Sequence, residues 1–457
     1  MRLPTAILWI GLAMPGHAGE LNAGTKRTAD PASVAIGAIR WDNWNAGNPY
    51  NQVLDDQSIR ERIPYYAERR RDGRLEFPGN TAEALNADVH YARAAGLDYF
   101  IFGYYLESSA WGRNVGRARQ LNQALEAYLG LSHRAGIKYA LNFNLSFPPR
   151  DAVLVSRAII NALRGPDYVR AVGNYPPVFF FVGSATKWLE GLGGKVSAAA
   201  ALASIRREVK EATGQDLYLV AFIFNFRENQ ALVTDVGFDA LSTYATAMGS
   251  EGRSIPYSQC SAIARRDWSI GSQGSGGFLP TITMGWDYRP ALRDPGERIA
   301  RKPNPDWCQP ASDEEWKRQI QAGVRAAVSN PRNERFKSVV IYAWNEGSEG
   351  GWLLPTVGEG TRRIQVVSDG LGRHRHIAPF HLSWRIHVDP IACKIPPFWT
   401  PIESIGLGCN IQSGARTNSW PCPPRMRVAD DKFKQSFSDA NGEDPSIWRQ
   451  ITCASIN

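Results

Sequence analysis

The chain has 457 residues, of which 43% are hydrophobic and 21% charged, with a formal net charge of +8. That balance excludes a disordered chain or a long coiled coil and leaves room for one large globular domain with an appendage. The positive charge suits an anionic polymer as partner. No nucleic-acid module accompanies it, and the basic run Arg69-Arg70-Arg71 is interleaved with Glu68 and Asp72, the pattern of a solvated face.

In chain order, the first feature is a leader. Arg2 precedes a short apolar run from Leu3 to Met14, and Gly16 and Ala18 supply small residues for cleavage. Residues 1–18 therefore read as a signal peptide, and the mature chain as secreted or periplasmic. The run is too short to cross a bilayer, and no later stretch reaches about 18 uninterrupted apolar residues, so no transmembrane segment is expected.

Eight apolar runs then read as strands: Val34–Ile39, Tyr99–Tyr104, Ile137–Phe143, Pro177–Val182, Leu217–Phe224, Ala240–Tyr244, Leu279–Met284 and Ser338–Trp344. Helical patterns separate them at Ala82–Ala95, Val115–Ala135, Ala152–Leu163, Ser197–Thr213 and Asp313–Ser329, with a last one at Gly360–Val367. The strands are continuous rather than alternating in polarity, as expected when both faces are covered. This order predicts an α/β fold, a (β/α)8 TIM barrel, over residues 19–370. A doubly wound sheet is disfavoured because no glycine-rich phosphate turn follows the first strand. Gly249–Gly277 and Asp287–Ala311 read as inserted loops carrying Cys260 and Cys308. From residue 371 to 457, Pro, Cys and Trp rise and helical periodicity is lost, which predicts a small disulfide-held, β-rich appendage. The six cysteines of an exported chain suggest three disulfides, Cys260–Cys308 and two among Cys393, Cys409, Cys422 and Cys453.

In such a barrel the reacting groups sit at the C-terminal ends of the strands. The eighth strand ends in Trp344-Asn345-Glu346-Gly347-Ser348-Glu349-Gly350-Gly351-Trp352. Glu346 and Glu349 are three apart, so one turn can aim both at one point. Glycosyl transfer needs two such carboxyls, one as acid on the leaving oxygen and one as base or nucleophile. The plain alternative is a hydrogen-bonded turn with solvated glutamates. Aromatic and polar residues crowd the other strand ends: Trp41, Asp42, Trp44, Tyr104, Tyr105, Asn142, Asn144, Tyr244, Trp286, Asp287 and Arg289, with Asn345 and Trp352 beside the glutamates. Rings of this kind stack on sugar faces, while Asn, Asp and Arg bind hydroxyls. About half of the rings are expected to plug the barrel instead. Asp42, Glu107 and Asp287 are possible stand-ins for one glutamate. His374 and His376 lack an acid or thiol set to complete a metal site, so no metal is expected, and no cofactor either.

Three segments, Gly96-Leu-Asp-Tyr-Phe-Ile-Phe-Gly-Tyr-Tyr105, Met284-Gly-Trp-Asp-Tyr-Arg289 and Ile341-Tyr-Ala-Trp-Asn-Glu-Gly-Ser-Glu-Gly350, resemble those of glycoside hydrolase family 99 endo-α-mannosidases and the related WbsX-like proteins. The resemblance covers roughly residues 34–370. It implies a (β/α)8 fold and cleavage of a glycosidic bond with retention. By motif position, Glu346 would deprotonate the sugar 2-hydroxyl to give an anhydro-sugar, and Glu349 would be the general acid/base. The chain departs from the motif at Gly347, where the family carries tryptophan. The expected function is that of a secreted retaining glycoside hydrolase, endo-acting on a polysaccharide or glycan. The alternatives are a carbohydrate-binding barrel without catalysis, and a transglycosylase or glycosyltransferase of envelope glycans.

Overall fold

The computed structural model describes residues 34–376, apart from 70–73, 108–114, 145–146, 225, 228, 247–248, 295–304 and 357, and then 380–387, 422, 426–436 and 446–455. The predicted signal peptide, Cys393 and Cys409 lie outside the described residues. So does the side chain of Asn144.

The inner wall consists of parallel strands β1 (Ala35–Arg40), β2 (Tyr99–Tyr104), β3 (Lys138–Asn144), β4 (Pro177–Gly183), β5 (Tyr218–Ile223), β6 (Ala240–Thr243), β7 (in two pieces, Gly277–Leu279 and Thr281–Thr283) and β8 (Ser338–Tyr342). The first piece of β7 pairs with β6 and the second with β8, while β1 joins β8 to β2, so the sheet closes on itself. The break in β7 is at Pro280. Proline has no N–H to give a ladder, but its carbonyl still accepts the Val340 N–H at 2.9 Å. The structure is thus the (β/α)8 barrel that the alternation of runs predicts.

Helices α1 (Ala82–Ala95), α2 (Val115–Gly130), α3 (Ala152–Leu163), α4 (Ala185–Gly191), α5 (Lys195–Thr213), α6 (Tyr257–Ser272), α7 (Asp313–Ser329) and α8 (Arg362–Leu371) accompany the strands. Their ends follow local chemistry. Thr81 caps the start of α1 and Gly96 closes it in the left-handed region. Ser312 and Glu315 form a reciprocal capping box on α7. Two expectations change. Helix α2 stops at Gly130, five residues before the periodicity suggested. The segment expected as an inserted loop at Gly249–Gly277 contains α6, the barrel's own helix after β6.

The barrel interior is filled by side chains. Near its floor the Tyr99 hydroxyl meets Ser338 Oγ at 2.8 Å. A Cβ on Gly37 would stand 2.3 Å from the Tyr99 ring, so only glycine leaves that ring its place. Between β1 and α1 lies a buried ion cluster: Arg40 Nε donates to Asp42 at 2.6 Å and Nη1 to Asp88 at 2.5 Å.

After α8, Arg373 and Arg375 bind Asp98 at the foot of β2. The chain then forms a three-stranded antiparallel sheet from Phe380–His387, Met426–Ser436 and Ser446–Ser455, with the last in the middle. The Cys422–Cys453 disulfide holds this sheet's end.

The Cys260–Cys308 bridge forms as expected, tying α6 to a short strand, Trp307–Cys308, that pairs with Ser254–Ile255. It spans a sequence separation of 48. Replacing both cysteines by serine should lower stability by about 2–4 kcal/mol, chiefly by freeing the unfolded chain. Denaturant unfolding of the double variant beside the oxidised parent measures this, and equal midpoints would mean the bridge contributes nothing.

Candidate active site

β8 continues past the barrel rim into a hairpin. Asn345–Glu346 pairs antiparallel with Gly351–Trp352 around a 3-10 turn at Gly347–Glu349. Glycine permits this. Gly350 has φ +84°, and a Cβ there would come within 2.4 Å of the Asp287 backbone nitrogen. The Asp287 N–H in turn donates to the Glu349 carbonyl at 2.7 Å, pinning the hairpin to the end of β7.

Both glutamates of the hairpin are held by tyrosines. The Tyr244 hydroxyl donates to Glu346 Oε1. The Tyr342 hydroxyl donates to Glu349 Oε2 at 2.9 Å. The rings of Tyr244 and Tyr342 are 5.6 Å apart, and Tyr244 also meets Phe181 of β4. Strands β4, β6 and β8 are not adjacent to one another, so rings at their ends meet inside the barrel and form its top interior layer. Burial first, then the negative charge of Glu346, hold both hydroxyls well above the ordinary tyrosine range. They stay protonated and serve as donors. Each carboxylate is thus held by one of two packed rings, which brings both to the same end of the barrel. Glu346 is 1% exposed, whereas Glu349 is half-buried.

The remaining expected residues divide by direction. Asn142 is buried in the barrel interior, in register with Phe179, and its Oδ1 has no hydrogen-bond partner among the described residues. Tyr105 is buried with Ala118 and Leu121 of α2, and its backbone exchanges hydrogen bonds with the Asn122 amide, 3.0 and 2.9 Å. Trp286 packs on Tyr342 at 5.9 Å between ring centres. Trp41 is half-buried against Tyr50.

Others are occupied elsewhere. Tyr104 packs on Phe143 and feels Glu126 of α2, which places it outside the strand layer. Trp44 is fully buried, and its Nε1 donates to the Asn345 carbonyl at 2.6 Å. The Asn345 amide is used in both directions on the Trp41 backbone, each bond 2.8 Å, so it clasps the β1 loop to the hairpin. Asp42 turns to Arg40. Burial pushes its carboxyl up to about 6, against the pull of Arg40. Asp287 is gripped by Arg62 at 2.5 Å and Arg289 at 2.7 Å. Burial would raise its carboxyl, but these guanidinium groups hold it below the usual range. Trp352 lies under the Arg363 guanidinium, 3.3 Å from the ring centre, with Arg62 5.5 Å from it. Glu107 is exposed and pairs with Arg119.

Sequence reading passed over Tyr342 and Arg62. The signal for Tyr342 was parity: it is two residues on from Val340 in β8, on the same face of the strand. Arg62 carried no signal, since it ends a 3-10 helix, Gln57–Arg62, far from β7 in sequence. It also accounts for Gly347, because the Arg62 carbonyl and Leu54 stand 3.2 and 3.6 Å from where a Cβ at 347 would be, in space that a tryptophan would need. Among the described residues no group of three His, Cys, Asp or Glu side chains gathers as a metal site.

A closed (β/α)8 barrel with paired carboxylates and aromatic rings at its C-terminal mouth has the architecture of glycosidase barrels. Solved structures agree on the fold. A protein described as glycoside hydrolase-like superposes with a TM-score of 0.51 at 15% identity, over 74% of this chain and 94% of that one. The family GH99 endo-α-mannosidase from Bacteroides thetaiotaomicron, in complex with BIS-TRIS-propane, gives 0.51 at 13% identity over 74% and 97%. The motif resemblance to that family thus has a counterpart in the fold. No family model matches the chain. No curated relative matches it either.

Proposed function

We propose that this chain is a secreted retaining glycoside hydrolase, endo-acting on a polysaccharide, with residues 1–18 a leader, 19–370 the catalytic barrel and 371–457 an appendage. The observation that carries the reading is that Glu346 and Glu349 are held by the hydroxyls of Tyr244 and Tyr342, whose rings pack 5.6 Å apart at the barrel mouth. The export reading is supported by disulfides in both barrel and appendage, and no described helix is long and apolar enough to cross a membrane.

The chemistry follows the motif positions. Glu346 takes the proton of the sugar 2-hydroxyl, O2 closes on C1, and Glu349 gives its proton to the departing oxygen. Water then adds at C1 as Glu349 takes its proton, the C1–O2 bond opens, and Glu346 returns the proton to O2. C1 inverts twice, so configuration is retained. A base that must be ionised gains from a hydroxyl donor, and Tyr244 supplies one to Glu346. Asn345 and Trp44 position the hairpin, while Asn142, Trp286 and Trp41 are the residues best placed to meet sugar.

The test is a screen of the purified chain against diverse polysaccharides, with Glu346→Gln and Glu349→Gln in parallel. Release of oligosaccharides by the parent alone supports the reading. A glycan that all three bind equally and none cleaves favours the binding barrel. Tyr244→Phe should lower kcat/KM by roughly tenfold to a hundredfold, the worth of one hydrogen bond to a charged group. Its acid limb should move to higher pH, because Glu346 then ionises less readily. An unmoved limb would show that Tyr244 does not act on the ionised base.

A further inference from the structure

Beside the hairpin, separate from the glutamate carboxylates, is a cavity of about 580 Å³. That is within the usual size of small-molecule sites. It lies between the β7 and β8 loops and the segment around Arg62, and Gly350 of the hairpin forms part of its wall. Four guanidinium groups line it, from Arg62, Arg289, Arg293 and Arg363, with three carboxylates in the wall and Asp56 paired to Arg293 at 2.5 Å behind it. The indole rings of Trp307 and Trp352 are also in the wall.

Arg289 is the built element. Its Nε and Nη2 donate to the two oxygens of Asp287 at 2.7 and 2.9 Å, and its guanidinium lies 3.6 Å from the centre of the Trp307 ring. One edge and one face are therefore fixed, while the side chain remains 50% exposed. Its Nη1 meets no acceptor among the described residues. Asp287 is already shared with Arg62 and stays ionised, so one carboxylate serves two guanidinium groups. Such a pre-oriented fork matches a planar oxyanion and spends little conformational entropy in binding it. Cys308 in the same wall is bonded to Cys260, which holds Trp307 beneath Arg289.

We propose that this cavity is a subsite for a sugar unit that carries an oxyanion, a carboxylate or a sulfate, with Arg289 taking the oxyanion. The inference rests on the glycan reading of the barrel and names its substrate class: an acidic polysaccharide, with the charged unit seated behind the hairpin.

Binding of the full chain is measured by calorimetry with three probes of similar length, an oligogalacturonate, a sulfated galactan oligosaccharide and a neutral galacto-oligosaccharide. Parent, Glu349→Gln, Arg289→Gln, Arg293→Gln and, as a control for net charge, Arg157→Gln on α3 are compared. Thermal unfolding shows that each variant is folded. At least one charged probe should bind roughly tenfold more tightly than the neutral one, and Arg289→Gln should lose about that factor while Arg157→Gln does not. The preferred charged probe tells carboxylate from sulfate. Arg293→Gln reports on the same cavity from its rim and should weaken the same probe. Equal affinity for charged and neutral probes, or equal losses in Arg289→Gln and Arg157→Gln, overturns the proposal. Because Glu349→Gln is included, binding without cleavage by the parent would count against the hydrolase reading alone. Cleavage of a neutral glycan that Arg289→Gln leaves untouched would count against the subsite alone.

Discussion

Glu346→Gln and Glu349→Gln should each lower kcat on the natural glycan by about 100- to 10,000-fold, the range for losing a positioned acid or base. The two losses should differ in kind. Glu349 protonates the leaving oxygen, so an aryl glycoside with an acidic phenol needs it little in the first step. Glu349→Gln should then keep much of its kcat/KM on that substrate and accumulate intermediate, because the second step still needs the base. Glu346 acts on the sugar itself, so Glu346→Gln should remain inactive whatever the leaving group. Both substitutions preserve shape, and Glu346 is fully buried beside Tyr244, so unfolding must be followed in the same samples. If leaving-group acidity rescues both variants equally, the assigned roles are wrong even if the pair is essential.

The barrel was legible because its strands are buried on both faces and therefore appear as unbroken apolar runs. Helix ends were legible where a cap or glycine marks them, as at Thr81 and Gly96. Helix α6 was not. Its buried face is Tyr257, Cys260, Ser261, Ala264, Trp268 and Gly271, which keeps helical spacing but includes Ser, Cys and Gly. Small residues pack closely without giving an apolar signal. At the site, residue type was readable and direction was not. Tyr104 and Tyr105 are chain neighbours at a strand end, yet Tyr104 packs on Phe143 and Tyr105 on Ala118 and Leu121 of α2, contacts that a strand-end position does not announce. The mixed fate of the tryptophans has a similar cause. Trp44 plugs the rim on Asn345, 301 residues away, and Trp352 is covered by Arg363 from the following helix. Asp287 looked like a spare acid by position, but it is taken up by Arg289, two residues on, and by Arg62, 225 residues away.

The second large effect is on stability. Arg40→Met should cost about 3–5 kcal/mol, since it leaves the buried carboxyls of Asp42 and Asp88 without their common cation. Arg40 is 1% exposed and also lies 5.6 Å from the rings of Phe100 and Phe102, so methionine retains part of its packing. The cation faces two carboxylates, and burial outweighs its pull on Asp42, whose carboxyl is pushed from 3.8 up to about 6. A carboxyl raised in the folded state holds its proton more tightly there than in the unfolded chain. Its contribution is thus full below about pH 4 and is lost as pH rises through about 6. Asp42→Asn removes that dependence and keeps the Arg40–Asp88 pair. Between these pH values the parent should lose stability relative to Asp42→Asn with a slope approaching one proton, about tenfold in the folding equilibrium per pH unit. Parallel slopes would mean that Asp42 titrates alike folded and unfolded, and that Arg40 compensates its burial in full. The outcome bears on the site as well. Asp42 follows Trp41, whose backbone clasps Asn345, and Asn345 begins the hairpin that carries Glu346. Strain in the ion cluster is therefore expected to reach the glutamates through that clasp, and Arg40→Met should lower activity even under conditions where the chain remains folded.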